Sequence, residues 1–120
     1  MAMTKYHAKK TVVNGITFAS KLESDRYTQL RLLEQAGEIS GLMLQVEFQI
    51  LKGWINSETG EKIRSRHYVA DFVYFDHATH QWIIEDTKGQ ETAEFRLKWD
   101  YMKSQYGKEY EFRKVTREDI

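Results

Sequence analysis

Residues 66–89 read RHYVADFVYFDHATHQWIIEDTKG. Two apolar runs, Arg64–Phe75 and Gln81–Lys88, flank the polar pentapeptide Asp76-His77-Ala78-Thr79-His80. Runs of this length, rich in Val, Ile, Tyr, Phe and Trp and separated by turn residues, predict a β-hairpin. Strand side chains alternate, so Val69, Asp71, Val73 and Phe75 are expected on one face of the first strand. Trp82, Ile84, Asp86 and Lys88 share a face of the second, and Glu85 and Thr87 point the other way. A turn centred between Ala78 and Thr79 sets Asp71 opposite Asp86, with Cβ atoms about 4.5–5.5 Å apart.

Outward from this hairpin the pattern is α/β. Upstream, Leu42, Leu44, Val46, Phe48 and Ile50 alternate with Met43, Gln45, Glu47 and Gln49, which predicts a half-buried strand over 42–51. Further upstream, Ala19, Leu22, Arg26, Leu30 and Leu33 repeat at helical spacing. Ser20 and Glu23 form an S-x-x-E capping box, and Gly37 is a fitting stop. Downstream, Phe95, Leu97, Trp99, Met102 and Tyr106 predict a helix over 91–106 ended by Gly107, and Glu109–Val115 is a last short strand. Residues 52–60, with Gly53, Asn56, Ser57 and Gly60, read as a connection. The element order is α-β-β-β-α-β, an α/β sheet flanked by helices.

The chain of 120 residues fits one domain, 1–120. Residues 1–15 read as a basic N-terminal arm, with a short strand as its expected end, in which Asn14-Gly15 marks a turn. No apolar run approaches the ~20 residues of a membrane span and no signal peptide opens the chain, so the expected location is cytoplasmic. There are no cysteines, which excludes disulfides and thiol nucleophiles. Lysine plus arginine balance aspartate plus glutamate at 18 each, which argues against indiscriminate binding to nucleic acid. The charges are nonetheless segregated. No acid precedes Glu23, whereas Lys5, Lys9 and Lys10 are basic, and Arg64 and Arg66 lead into the central strand. Such patches bind phosphates on an otherwise neutral molecule, and Lys5, Lys9, Lys10, Arg64 and Arg66 are the candidate DNA contacts. Trp54, in the 52–60 connection, is the tryptophan best placed to meet nucleic acid. Loop roles are expected for His67, His77 and His80.

Two carboxylates facing each other across a sheet repel, and something must offset that cost. One acid can hold a proton. Alternatively a divalent cation binds, and oxygen ligands suit Mg²⁺ or Mn²⁺. Lys88 adds a positive charge beside Asp86, suited to neutralising a phosphate or orienting a water. Asp71, Asp86 and Lys88 are therefore the candidate catalytic residues for phosphodiester hydrolysis, with Asp71 and Asp86 as metal ligands.

The segments F-x-S-K-x-E (18–23), Y-V-x-D-F (68–72) and I-E-D-T-K-G (84–89) resemble the PD-(D/E)XK nuclease superfamily. Within it they look like a group of small phage- and prophage-encoded proteins often likened to Holliday-junction resolvases. The resemblance runs over residues 5–118. Ala70-Asp71 would stand for the P-D element, with alanine replacing proline, and Asp86-Thr87-Lys88 for (D/E)-x-K. It implies a restriction-endonuclease-like α-β-β-β-α-β core with a mixed sheet, and a Mg²⁺- or Mn²⁺-dependent endonuclease acting on branched or replicating DNA. It also implies a homodimer, a phage or prophage origin in a bacterial host, and a metal-ligand role for Glu23. The other reading of Glu23 is that it only caps its helix. The alternative functions are a catalytically idle DNA-binding or assembly module of the same fold, or a protein-interaction domain.

Overall fold

The computed structural model describes residues 9–120; Lys5, a candidate DNA contact, lies outside them. In chain order the elements are β1 (Thr11–Val13), β2 (Ile16–Phe18), α1 (Lys21–Gln35), β3 (Ile39–Leu51), β4 (Trp54–Ile55), β5 (Lys62–Ile63), β6 (Arg66–Asp76), β7 (Gln81–Thr87), α2 (Ala93–Tyr106), β8 (Tyr110–Val115) and the short 3₁₀ helix Arg117–Asp119. β3, β6, β7 and β8 form one sheet in that order. β3–β6 and β6–β7 are antiparallel, whereas β7 and β8 are parallel. A parallel pair needs a crossover, and α2 supplies it. The fold is thus α/β with a mixed sheet, and the expected α-β-β-β-α-β series is present as α1-β3-β6-β7-α2-β8. No helix of the described residues is long and apolar enough to cross a membrane.

Two peripheral hairpins go beyond the expected elements. The short strand at the end of the basic arm is present and does not stand alone: β1 and β2 pair through the two-residue turn Asn14-Gly15. Both turn residues have positive φ, at 52° and 77°, as a type I′ hairpin requires. Residues 52–63 are not a plain connection either, because β4 and β5 form a separate two-stranded ribbon.

α1 starts where Ser20 Oγ accepts from the Glu23 N–H, 3.1 Å away. It ends in a Schellman turn, with Gly37 N bonding Glu34 O and Glu38 N bonding Leu33 O. Gly37 takes φ +79°, open to glycine without strain. Thr92 caps α2 by accepting from Phe95 N at 3.0 Å.

Each helix covers one face of the sheet. Tyr27 and Leu30 of α1 pack with Phe18, Ile39, Phe72, Tyr74 and Ile83, and Leu42 and Leu44 border them. Phe95, Trp99 and Met102 of α2 pack with Tyr68, Ala70, Val73 and Ile84, bordered by Val46, Phe48 and Ile50. The expected single apolar face of residues 42–50 is therefore wrong. Leu42 and Leu44 lie under α1, whereas Val46, Phe48 and Ile50 lie under α2. β6 changes over in the same way, from Ala70 under α2 to Phe72 under α1, so Val69, Asp71, Val73 and Phe75 do not share one face. Both changes occur at the rung where Gln45 would oppose Asp71. The flanking pairs Leu44↔Phe72 and Val46↔Ala70 are in register, but this rung is not paired. Gln45 has φ +52°, a left-handed residue inside a strand. That one turn of the backbone moves every later side chain to the opposite face.

A candidate carboxylate–lysine active site

The changeover places Asp71 between the two layers. The β6–β7 pairs Phe72↔Glu85 and Val73↔Ile84, continued by one rung, set Asp71 opposite Asp86, the expected register. Asp71 Oδ2 accepts two hydrogen bonds from Thr87, from its backbone N–H at 2.9 Å and its hydroxyl at 2.8 Å. Its other oxygen faces the Gln45 amide at 3.5 Å. The same amide donates to Glu23 Oε2 at 3.2 Å. Glu23 does not close a capping box with Ser20 among the described hydrogen bonds; its carboxylate accepts from the Gln45 amide and from the backbone at Ala19, with the Asp71 charge nearby.

Asp86 lies on the α2 face, 2% exposed. It accepts from the Tyr68 hydroxyl and pairs with Lys88 Nζ at 3.3 Å. Lys88 in turn lies 4.2 Å over the Phe95 ring, a cation–π contact that fixes the ammonium beside the acid. Burial pushes the Asp86 carboxyl up to about 8, helped by the Asp71 charge and a hydrogen bond to Asp71 that favours the protonated form. Burial likewise raises Glu23 to about 7, again with the Asp71 charge as the second cause. Burial and the Asp86 carboxylate hold the Tyr68 phenol far above its ordinary range, so it acts as a neutral donor.

Glu85 takes no part in this group. It lies on the α1 face with no exposure, gripped by Arg26 through Nε–Oε2 at 2.7 Å and Nη2–Oε1 at 2.8 Å, and by the Tyr74 hydroxyl at 2.5 Å. A bidentate arginine on a buried carboxylate is a geometrically specific tie, and here it fastens α1 to β7. Glu23 stands one turn before Arg26 and Asp86 one residue after Glu85, so this tie sets the spacing of the two raised acids.

Among the other expected residues, Lys10 lines a cleft of about 400 Å³ together with Thr17, Phe18, Glu23, Gln45 and Asp71. Lys9, Arg64 and Arg66 are exposed; the two arginines lie near the far end of β3–β6, away from the acids. Among the described residues the histidines stay out of the group. His67 is on β6, beside Glu47 and Ser65, and His77 Nε2 lies 3.1 Å from Ser40 Oγ. Tyr68, Thr87 and the Arg26–Glu85 tie are site residues that sequence reasoning did not assign, and Gln45, expected on a solvated strand face with a place beside the site as the alternative, borders the acids. Thr87 directly follows Asp86, and that adjacency was the available signal for it.

Three carboxylates from α1, β6 and β7 thus approach one another, with Lys88 paired to one of them. Their oxygen-only donor set suits a hard divalent cation, and burial, with the Asp71 charge as the second cause, raises Glu23 and Asp86 out of the ordinary carboxylate range. Among the described residues no three histidine, aspartate or glutamate side chains are grouped closely enough to hold a metal ion; the Gln45 amide stands between Glu23 and Asp71.

No curated protein and no solved structure matches the chain. A family model described as "Protein of unknown function (DUF1064)" matches residues 3–117, and the chain belongs to that DUF1064 family.

Proposed function

We propose that this protein is a metal-dependent DNA endonuclease of the PD-(D/E)XK type, with a restriction-endonuclease-like core, acting on branched or replicating DNA. The observation that carries the reading is the convergence of Asp71, Asp86 and Glu23 beside Lys88, with Asp86 and Glu23 buried and their carboxyls raised. A purely structural cluster of this kind gains nothing from repelling buried acids, whereas a site for Mg²⁺ or Mn²⁺ needs them. The element order and the mixed sheet also support it.

Asp71, Asp86 and Glu23 would hold the cation, which when bound lowers the pKa of a water and offsets charge developing on phosphate oxygens. Thr87 fixes Asp71 through two donors, and Tyr68 fixes the rotamer of Asp86. Lys88, with its ammonium held against Phe95, is placed to meet a phosphate oxygen in the transition state. Lys10, at the mouth of the cleft, and Lys9 would guide the DNA backbone toward the acids, and Arg64 and Arg66 would contact it further away. Cutting both strands of a symmetric junction needs two sites, so a homodimer is the working assembly under this reading.

The test is incubation with labelled four-way junction, flap and linear duplex in Mg²⁺, Mn²⁺ or EDTA. Metal-dependent cleavage with preference for a branched substrate supports the proposal. Absence of cleavage of all three in both metals rejects it.

A further inference from the structure

The ribbon β4–β5 belongs to neither layer of the domain. It pairs only with itself, and an isolated two-stranded ribbon is marginally stable in water. Its tip is nevertheless tied: Asn56 exchanges backbone bonds with Glu61 and Gly60, each 2.8 Å, and its side chain accepts from Glu58 and Thr59. The result is a preorganised prong that carries large apolar side chains into solvent. Trp54 is 50% exposed, and Ile55 and Ile63 are also exposed. Trp54 and Ile63 are cross-strand partners and share a face. Around them stand Lys52, Lys62 and Arg64, all exposed. None of these cations takes part in an ion pair among the described residues. Glu58 and Glu61 lie nearer the tip.

We infer that this prong binds DNA at unpaired bases, with Trp54 as the stacking platform and Lys52, Lys62 and Arg64 on the flanking phosphates. The occupant follows from the combination. An aromatic face ringed by unpaired cations matches a polyanion with exposed bases, whereas a second copy of the same prong would bring like charges together. A duplex keeps its bases stacked and offers Trp54 no partner, so the ligand is DNA with a single-stranded stretch, as at a fork or junction. The last main-sheet rung, Leu51↔Arg66, is five or six residues from Gln45 and Asp71. At about 3.3 Å per residue the prong therefore begins roughly 20 Å from the acids. The inference deepens the nuclease reading by naming how a branched substrate is told from a linear one, and it rests on that reading for its purpose.

The test uses the full chain in EDTA, with fluorescence anisotropy of a labelled fork, a single strand and a linear duplex. Trp54→Ala should weaken fork and single-strand binding about 5- to 150-fold, the range for loss of one stacked base, and leave the duplex nearly unchanged. Trp54→Phe should retain most of the affinity. Lys62→Ala with Arg64→Ala should weaken binding to all three and lower the salt slope by about 2. Fork affinity unchanged in Trp54→Ala overturns the inference, as does a dimer that becomes monomer in Trp54→Ala with DNA binding intact. If Trp54-dependent fork binding is found in a protein that never cleaves, the inference stands and the nuclease reading falls. Cleavage that persists with wild-type fork affinity in Trp54→Ala has the opposite meaning.

Discussion

Gln45 reaches the Glu23 carboxylate across 3.2 Å from a backbone at φ +52°. A non-glycine residue in that region costs on the order of 1–3 kcal/mol and persists only where its surroundings hold it. Here the hold is the sheet itself: the strand must change faces at this rung so that Leu44 meets one helix and Val46 the other.

This predicts an inverted preference at position 45. Gln45→Ala and Gln45→Gly both lose the bonds to the acids, but only glycine relieves the backbone. Within an ordinary strand alanine is favoured over glycine by roughly 0.5–1 kcal/mol. Denaturant unfolding should instead find the glycine variant more stable, by about 1 kcal/mol. An alanine variant at least as stable would show that the left-handed turn carries no strain.

The raised acids predict a pH dependence. Asp86 moves from 3.8 in the unfolded chain to about 8 in the fold, so between these values the native state holds the extra proton. Stability in metal-free buffer therefore falls as pH rises from about 4 to 8, and the penalty is complete above the folded value. Glu23 adds to the same slope between 4.5 and about 7. Asp86→Asn removes the larger part, so its melting temperature at pH 8.5 in EDTA should exceed that of the wild type, with little difference at pH 4. Equal melting temperatures at both pH values would contradict the assignment.

Lys88 should act on chemistry more than on binding. One phosphate contact among several is a small part of affinity, but a charge beside the reacting phosphate counts in the transition state. Lys88→Ala is expected to lower the single-turnover rate about 100-fold or more while changing DNA affinity less than about threefold. Normal cutting with much weaker binding would make Lys88 an ordinary backbone contact.

The Arg26–Glu85 tie should matter for stability. Arg26→Ala leaves a fully buried carboxylate without its cation, at a cost of about 3–5 kcal/mol. Arg26→Met with Glu85→Leu and Tyr74→Phe should recover most of it, since no buried polar group is then left alone. Urea unfolding measures both, and a small effect of Arg26→Ala would mean that Tyr74 suffices.

Much of the sheet was legible because strand alternation is a strong signal. It sent Glu85 and Asp86 to opposite faces, and the turn residues gave the β6–β7 register. The changeover at Gln45 was not legible. Residues 42–50 alternate without a break, and a strand whose two halves serve two cores has the same pattern as one serving a single core. Tyr68 was hidden because a tyrosine in an apolar run reads as core, and its hydroxyl partner is eighteen residues away. The Trp54 ribbon was missed because two-residue strands are too short to alternate.

The most direct measurement is single-turnover cleavage of a labelled branched DNA in Mn²⁺ by the wild type, Asp71→Asn and Asp86→Asn, each at saturating protein. Metal-dependent cutting by the wild type is expected, abolished by EDTA and by either substitution, with DNA binding and folded stability retained in both variants. Cleavage by Asp71→Asn or Asp86→Asn at the wild-type rate would contradict the site assignment.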